Sequence, residues 1–385
     1  MAPSASVACD GSHGNRPFLS GRRIYDCRHV YTILKGAMTD TDNIIVDTTQ
    51  RMFRDLADPQ TLNLAADDGW KDVLWTALEE SGLTLAWVPD DLGGAGAGMD
   101  DGFQVLRVAG AHAVAVPLAE TLLAGWLLAR AGIASPAGRM SVASGLSLAN
   151  GKLSGTARGV PMAADCAHLA VLADGPDGPH VVLVETSSCQ LDVSPGLAGD
   201  GMATVTMEDV TPVAMAAASN RVSAEDLSLM GAAVRAHQMA GALEAVLGVA
   251  VDYAKERQAF GKPIAKFQAV QHGLARLAGE TAAATAAAGS AADTLHNAET
   301  FDDAVFLEVA SAKIRAGEAA GEGAAIAHQV LGAIGFTEEH VLQRYTRRLW
   351  AWRDDFGSES EWALKLGQRI AAGGADDLWP LVASR

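Results

Sequence analysis

The sequence predicts a three-part chain: an all-helical N-terminal region, a small β domain and a C-terminal bundle of long helices. Three observations predict it. Leu227, Met230, Val234, His237, Gly241, Leu243, Leu247, Val251 and Ala254 recur mostly at three- or four-residue steps, which lines one long apolar face on a helix. Between about Pro136 and Ser219 the texture changes to β-branched and alternating runs, as in Val181–Val184 and Ala203–Met207. Turn signals at Asn150-Gly151 and from Asp174 to Gly178 separate those runs, so the segment reads as a small antiparallel unit.

The elements follow in order. Residues 1–37 hold Arg16, Arg22, Arg23, Arg28 and Lys35 against Asp10 and Asp26, without the apolar core of a secretory signal. They read as a disordered or non-native extension, with Met38 as the expected start. Residues 38–135 are expected to form the N-terminal helical domain. Within it a helix through Trp75, Leu78 and Glu79 is closed by Gly82. Leu83 to Pro89 looks extended, a glycine-rich loop follows at Asp90–Gly96, and helices are expected at about Asp100–Ala113 and Leu118–Ala131. Residues 136–219 form the middle β domain and 220–385 the C-terminal bundle. There, further helical patterns run from Phe267 to Leu295 and from Asp302 to Leu331, rich in alanine.

Composition limits the function. The 385 residues are 49% apolar and 19% charged, which fits a folded domain rather than a disordered one. Acidic residues outnumber basic ones 46 to 29, a net charge of −17, and this excludes nucleic-acid binding through a broad basic surface. Cys9, Cys27, Cys166 and Cys189 have no metal-ligand spacing and read as free thiols of a reducing cytosol, so no metal is expected. The most apolar segment, Leu118–Ile133, contains Glu120 and Arg130 and falls short of the roughly 18–20 residues of a membrane span.

Chemistry concentrates after the first bundle helix, in Glu256-Arg257-Gln258-Ala259-Phe260-Gly261-Lys262-Pro263-Ile264, then Phe267-Gln268 and Gln271. Arg257 offers a planar, permanently charged fork suited to phosphate oxygens. Gly261 before Pro263 favours a tight turn. Phe260 adds an aromatic face, and Gln268 and Gln329 add hydrogen-bonding amides. Taken singly, Arg257 beside Glu256 is a surface ion pair, and Gly332 and Gly335 merely end a helix. His237 reads as a packed core residue, and His328 is assigned no role.

Together these stretches resemble the acyl-CoA dehydrogenase signature, an Arg-x-x-Phe-Gly-x-Pro-Ile run followed by Phe-Gln. Gln329-Val330-Leu331-Gly332-Ala333-Ile334-Gly335-Phe336-Thr337 resembles that family's second flavin segment. Val88-Pro89, Gly93-Gly94, Gly96, Pro117 and Glu120-Thr121 resemble its N-terminal domain. The resemblance runs from about Gly69 to Gly367. It implies an acyl-CoA dehydrogenase-like fold, with an N-terminal all-α domain, a small β-barrel-like middle domain and a C-terminal four-helix bundle. It implies FAD as cofactor, held by Arg257, Phe260, Gln268, Gln329, Gly332 and Ala333 across a subunit interface. It also implies an acyl-CoA substrate, a cytoplasmic setting and an electron-transfer flavoprotein as acceptor.

The sequence departs from the family in two places. The Thr-Glu-Pro-x-Ala-Gly-Ser-Asp loop that contacts flavin and thioester is replaced by Arg139–Leu146, and the following strand, Leu153–Val160, lacks the flavin-packing Trp. The catalytic base, a carboxylate that must stand over the α carbon, is also displaced. Aligned on Gly357, the usual Glu position holds Phe356, and Asp355 is the nearest carboxylate. A minority of members place Glu on the first bundle helix, near Gly231-Ala232 here, where there is none. Asp354 and Asp355 also read as an ordinary solvated acidic pair. The pattern resembles one member of the α2β2 dehydrogenases of actinobacterial steroid side-chain breakdown, whose unlike partner would supply the missing parts. Two alternatives remain on the same fold: a non-catalytic subunit completing a partner's FAD site, and a flavin oxidase or monooxygenase.

Overall fold

The computed structural model describes residues 44–65, 67–218 and 222–383, all within one compact unit, Thr41–Arg385. The expectations for residues 1–37, Met38, Cys9 and Cys27 lie outside the described residues.

The N-terminal helices are α1 (Ile44–Leu56), α2 (Pro59–Asn63), α3 (Trp70–Glu80), α4 (Met99–Ala111) and α5 (Leu118–Arg130). Leu83–Pro89 is not extended. Gly82, at φ 73°, reverses the chain into a 3-10 turn at Leu83–Leu85. Ala95 and Gly96 then donate backbone bonds to the Leu85 and Val88 carbonyls. A Cβ at Gly94 would lie 2.0 Å from the Val88 carbonyl oxygen, so the glycine loop exists to fold back on its own entry. Helix α5 is buried on nearly every side, as expected of a helix apolar all round. Its Thr121 side chain donates to the Met140 carbonyl at 3.1 Å and accepts from the Met140 amide at 3.0 Å, which ties the helix to the sheet.

The sheet comprises β1 (Met140–Ala149), β2 (Lys152–Pro161), β3 (His168–Gly175), β4 (Gly178–Glu185), β5 (Gln190–Ser194), β6 (Met202–Val210) and β7 (Ala214–Ala217). The strand order is β5-β6-β2-β1-β3-β4-β7. It is mixed rather than wholly antiparallel. β1 pairs antiparallel with β2 but parallel with β3, because the chain crosses back over the hairpin before β3 begins. Asn150 and Gly151 both have positive φ, 52° and 72°, the turn that their dipeptide predicts. Leu146, Leu153, Val171, Val182 and Val205 fill the core of this layer.

The C-terminal bundle is built on α6 (Ala224–Glu256), with α7 (Gln268–Asn297), α8 (Asp303–Leu331) and α9 (Leu342–Asp354), followed by α10 (Glu359–Gly373) and α11 (Ala375–Ala383). Ser223 and Asp226 form a capping box that starts α6. Every residue of the apolar face expected on α6 is buried, and so are half of its other residues, since α4, α7, α8 and α9 all pack against it. Its crossing with α4 depends on two glycines. A Cβ at Gly241 would lie 1.8 Å from the Arg107 carbonyl oxygen, and one at Gly110 would lie 2.1 Å from that of Gln238. No helix among the described residues is long and apolar enough to cross a membrane.

Candidate functional site

The end of α9 is where the sequence analysis placed the base. Asp355 caps the helix, and Phe356 and Gly357 follow in the left-handed region at φ 54° and 96°. For a phenylalanine that conformation costs about 1–3 kcal/mol and is held by its surroundings. The Trp362 indole donates to the Phe356 carbonyl at 2.9 Å, and Ser358 opens α10 with a capping box. On the other side, the buried Lys313 ammonium donates to the Trp352 and Arg353 carbonyls at 2.8 and 2.7 Å, which satisfies the last carbonyls of α9. Burial lowers the Lys313 pKa to about 7, against the pull of Asp355.

Asp354 and Asp355 are not a matched solvated pair. The Asp354 side chain is 64% exposed beside Arg353, whereas that of Asp355 is 17% exposed and turned inward. Arg235, 3% exposed on α6, donates Nε to Asp355 Oδ2 at 3.0 Å, one terminal nitrogen to Glu120 Oε1 at 2.7 Å and the other to Gln238 Oε1 at 2.6 Å. Burial acts to lower the pKa of Arg235, but Glu120 and Asp355 outweigh it and raise the value. Glu120 and Asp355 therefore neutralise a buried cation.

Phe356 closes the neighbouring position. Its ring lies over Gly231, where a Cβ would come within 2.3 Å of it, and the Arg235 guanidinium carbon stands 5.8 Å from the ring centroid. The two places where the sequence led us to look for a catalytic Glu thus face each other here, and an aromatic ring and a glycine fill them. Gly231 is a glycine because Phe356 occupies its side-chain space.

Two cavities flank this plug. One, about 270 Å³, lies between β1, β2 and the start of α6, lined by Val142, Ser144, Arg158, Leu227, Asp355 and Phe356. The other, about 200 Å³, reaches Val116, Glu120, Met162, Arg235 and Gln238. On the sheet side, Arg139–Leu146 runs directly into regular β1, interrupted only by a bulge at Gly145, and a two-residue turn leads into β2. That leaves no loop to wrap a cofactor. Gly159, at φ 68°, presents no side chain, and Pro161 presents no backbone donor. This half does not fit a flavin as the family holds it.

The other predicted residues gather at the far end of α6. Arg257 caps the helix. The two-residue strands β8 (Gln258–Ala259) and β9 (Lys262–Pro263) then form a hairpin with Phe260 at its tip, 95% exposed at φ 50°. Phe260 lies edge-on to Phe267 at 6.1 Å, and Lys262 sits 4.5 Å from the same ring. Gln268 opens α7, and Gln329 stands in the last turn of α8, before Gly332 (φ 67°) and Ala333. The start of α7 lies beside the end of α8, since a Cβ at Gly273 would meet Ile326 at 3.6 Å. All six residues are exposed. Among the described residues, the side chains of Arg257, Gln268 and Gln329 make no hydrogen bond or ion pair. This ledge of a free guanidinium, two free amides and an exposed ring fits the pyrophosphate and adenosine side of a dinucleotide. Arg235 and Arg257 are about 33 Å apart along the helix axis, so the plug and the ledge cannot serve one site within one chain.

His237 is the core residue expected. It stacks on Phe103 at 4.4 Å, its Nδ1 lies 2.8 Å from the Ala233 carbonyl oxygen, and burial lowers its pKa to about 4. His328, buried, stacks on Phe336 at 4.1 Å. Cys166 is buried, with its thiol pKa raised by burial, and Cys189 is half-buried; both are free. Sequence reading missed Arg235 and Lys313. Each is a cation inside an apolar helical run, which is itself a signal that a buried anion or carbonyl awaits it.

Comparison with known proteins places the chain. The family profile "Acyl-CoA dehydrogenase, C-terminal domain" matches residues 224–353. The acyl-CoA dehydrogenase FadE34 of Mycobacterium tuberculosis is 30% identical over 317 residues, 80% of this chain and 43% of that protein, so the chain spans less than half of this relative. The acyl-CoA dehydrogenase IpdE2 of the same organism is 31% identical over 295 residues, 74% of this chain and 82% of IpdE2. Among solved structures, a variant of the Tcur3481–Tcur3483 steroid ACAD superposes with a TM-score of 0.74 at 25% identity, covering 86% of this chain and 98% of that one. The chain belongs to the acyl-CoA dehydrogenase family.

Proposed function

We propose that the chain is one subunit of an FAD-dependent acyl-CoA dehydrogenase that desaturates an acyl-CoA thioester, of steroid origin, in an α2β2 complex with an unlike acyl-CoA dehydrogenase-like subunit. The observation that carries this reading is the division of α6: the base positions at one end are plugged, while the cofactor residues at the other are exposed and unpartnered. In this reading Arg257 neutralises the pyrophosphate of FAD lodged mainly in the partner. Phe260 covers part of that cofactor, and Gln268, Gln329 and the Gly332-Ala333 backbone bind its polar edges. FAD, when bound there, would supply the acceptor for the hydride that leaves the β carbon of the thioester. The α proton goes to a carboxylate of the partner, because Asp355 here is held by Arg235. An electron-transfer flavoprotein in the cytosol would serve as the electron acceptor. The steroid and two-subunit parts rest on the name of the structural relative, a steroid ACAD named for two polypeptides.

The test is the flavin-to-chain ratio, from visible absorbance against protein concentration. The chain purified alone is expected to carry almost none, and co-expression with its unlike partner to restore about one FAD per pair. A ratio near one for the chain alone would overturn the reading. Turnover of the pair with an artificial electron acceptor, without hydrogen peroxide, separates a dehydrogenase from an oxidase on the same fold.

A further inference from the structure

A polar cavity of about 530 Å³ lies away from both the plug and the ledge. It sits where the first half of α9 faces the start of α3 and the loop between β5 and β6. Its volume is in the range of small-ligand sites, ~300–1,000 Å³. Four cations line it, Lys71, Arg344, Arg347 and Arg348, against three carboxylates, Asp67, Asp68 and Asp200. The surplus is +1, in a chain whose net charge is −17.

The pairing is more telling than the count. Lys71 is matched with Asp68 at 2.8 Å and Arg348 with Asp200 at 2.7 Å. Asp67 accepts from the Gly69 amide at 3.0 Å. Among the described residues the Arg347 side chain donates only to the Leu197 carbonyl, at 2.9 Å. The Arg344 side chain makes no hydrogen bond or ion pair among the described residues, its Nε is buried without a partner, and its carbonyl accepts from Arg348 at 3.0 Å. Burial lowers the Arg344 pKa, and Arg348 lowers it further.

The placement runs against local stability. Arg344 stands in the first turn of α9, and Arg347 and Arg348 follow in its first half. The helix dipole disfavours cations there and favours an anion. The wall that carries Arg344 is nonetheless fixed. Gln343 donates to Asn63 at 3.0 Å, Asn63 donates to the Glu338 carbonyl at 2.8 Å, and the Tyr345 hydroxyl donates to the Ala111 carbonyl at 3.0 Å. A half-buried guanidinium with free donors, beside a second arginine at a positive helix end, matches an oxyanion in charge and geometry.

We infer that Arg344 and Arg347 form a binding site for a carboxylate or phosphate group carried by a small molecule. Two sources share this chemistry. One is a free anion. The other is the far end of an acyl chain, because Ala198 and Asp200 wall both this cavity and the one beside Arg235 and Glu120.

The experiment is calorimetric titration of the assembled complex with inorganic phosphate and, separately, succinate at low ionic strength. Saturable binding of either is expected, weakened about tenfold or more in R344Q and in R347Q and partly kept in R344K. R276Q, on an exposed arginine paired with Glu322, is expected to bind as the parent does. Absence of binding to the parent complex, or affinity undiminished from the parent in R344Q and R347Q, overturns the inference. Displacement of the bound anion by an acyl-CoA with a terminal carboxylate, but not by the plain acyl-CoA of equal length, assigns the acyl source; displacement by neither assigns the free anion. Flavin content of R344Q is expected to match the parent, so this result is independent of the FAD reading.

Discussion

The two ends of α6 carry arginines in opposite states. At Arg235 the guanidinium is almost wholly removed from water and commits its donors to Glu120, Gln238 and Asp355. At Arg257 the guanidinium is exposed and has no partner among the described residues, and three residues on, Phe260 is 95% exposed. Desolvating a cation is tolerated only with compensation, so the buried end had to be completed within the chain. The exposed end had no such need, and arginine with aromatic rings is the composition of surfaces that another molecule completes. One end is therefore structure, and the other, in the function proposed, is half of a site.

The largest expected effect breaks the closed end. Glu120→Ala leaves Arg235 buried with half its countercharge, and loss of one partner of such a pair costs about 3–5 kcal/mol. Urea unfolding monitored by circular dichroism measures it. The double variant E120A/R235M is expected to recover part of the loss, since an apolar side chain of similar volume needs no counterion. A double variant no more stable than E120A would mean that Arg235 has other work than neutralising carboxylates.

Lys313→Met tests the same end through pH. The folded Lys313 pKa is about 7 against 10.5 for the free side chain, so the unfolded chain binds more protons between those values. Stability from this group is then least below about pH 7 and grows as pH rises toward 10.5. K313M is expected to flatten that rise in a series of melting curves. An unchanged pH profile would show that the ammonium reaches solvent.

Legibility followed sequence distance. The apolar face of α6, the Asn150-Gly151 turn and the Arg257-to-Gln268 segment are local patterns, and local spacing reveals them. The parallel pairing of β1 with β3 is a crossover choice that alternation does not encode. Glu120, Arg235 and Asp355 meet from positions more than a hundred residues apart. Only the need of a buried charge for a partner hints at that meeting, and it does not name the partner. Phe356 was legible as a departure from the family, but not as a plug, because that depends on Gly231 lying beneath it.

At the open end the comparison predicts a change in binding without a change in folding. Arg257→Gln removes an exposed, unpaired charge, so stability is expected to stay within about 0.5 kcal/mol of the parent. Flavin retained by the assembled complex is expected to fall about tenfold or more, the worth of a charged hydrogen bond to phosphate. Equilibrium dialysis against FAD measures it. A stable variant with undiminished flavin would remove Arg257 from the site.

The smallest effect is expected where the sequence placed the base. Asp355→Asn keeps the shape of the side chain and a carbonyl oxygen for Arg235, while removing the charge. If the carboxylate takes the substrate's α proton, turnover of the assembled complex should fall by about 10²-fold or more, as loss of a positioned general base does. The geometry argues for a change within about twofold. The Asp355 carboxylate is turned inward and committed to the Arg235 guanidinium at 3.0 Å. Phe356, rather than a carboxylate, lies over Gly231. Turnover per folded complex, corrected for flavin content, decides between them, and a large loss with flavin retained would return the base to this chain.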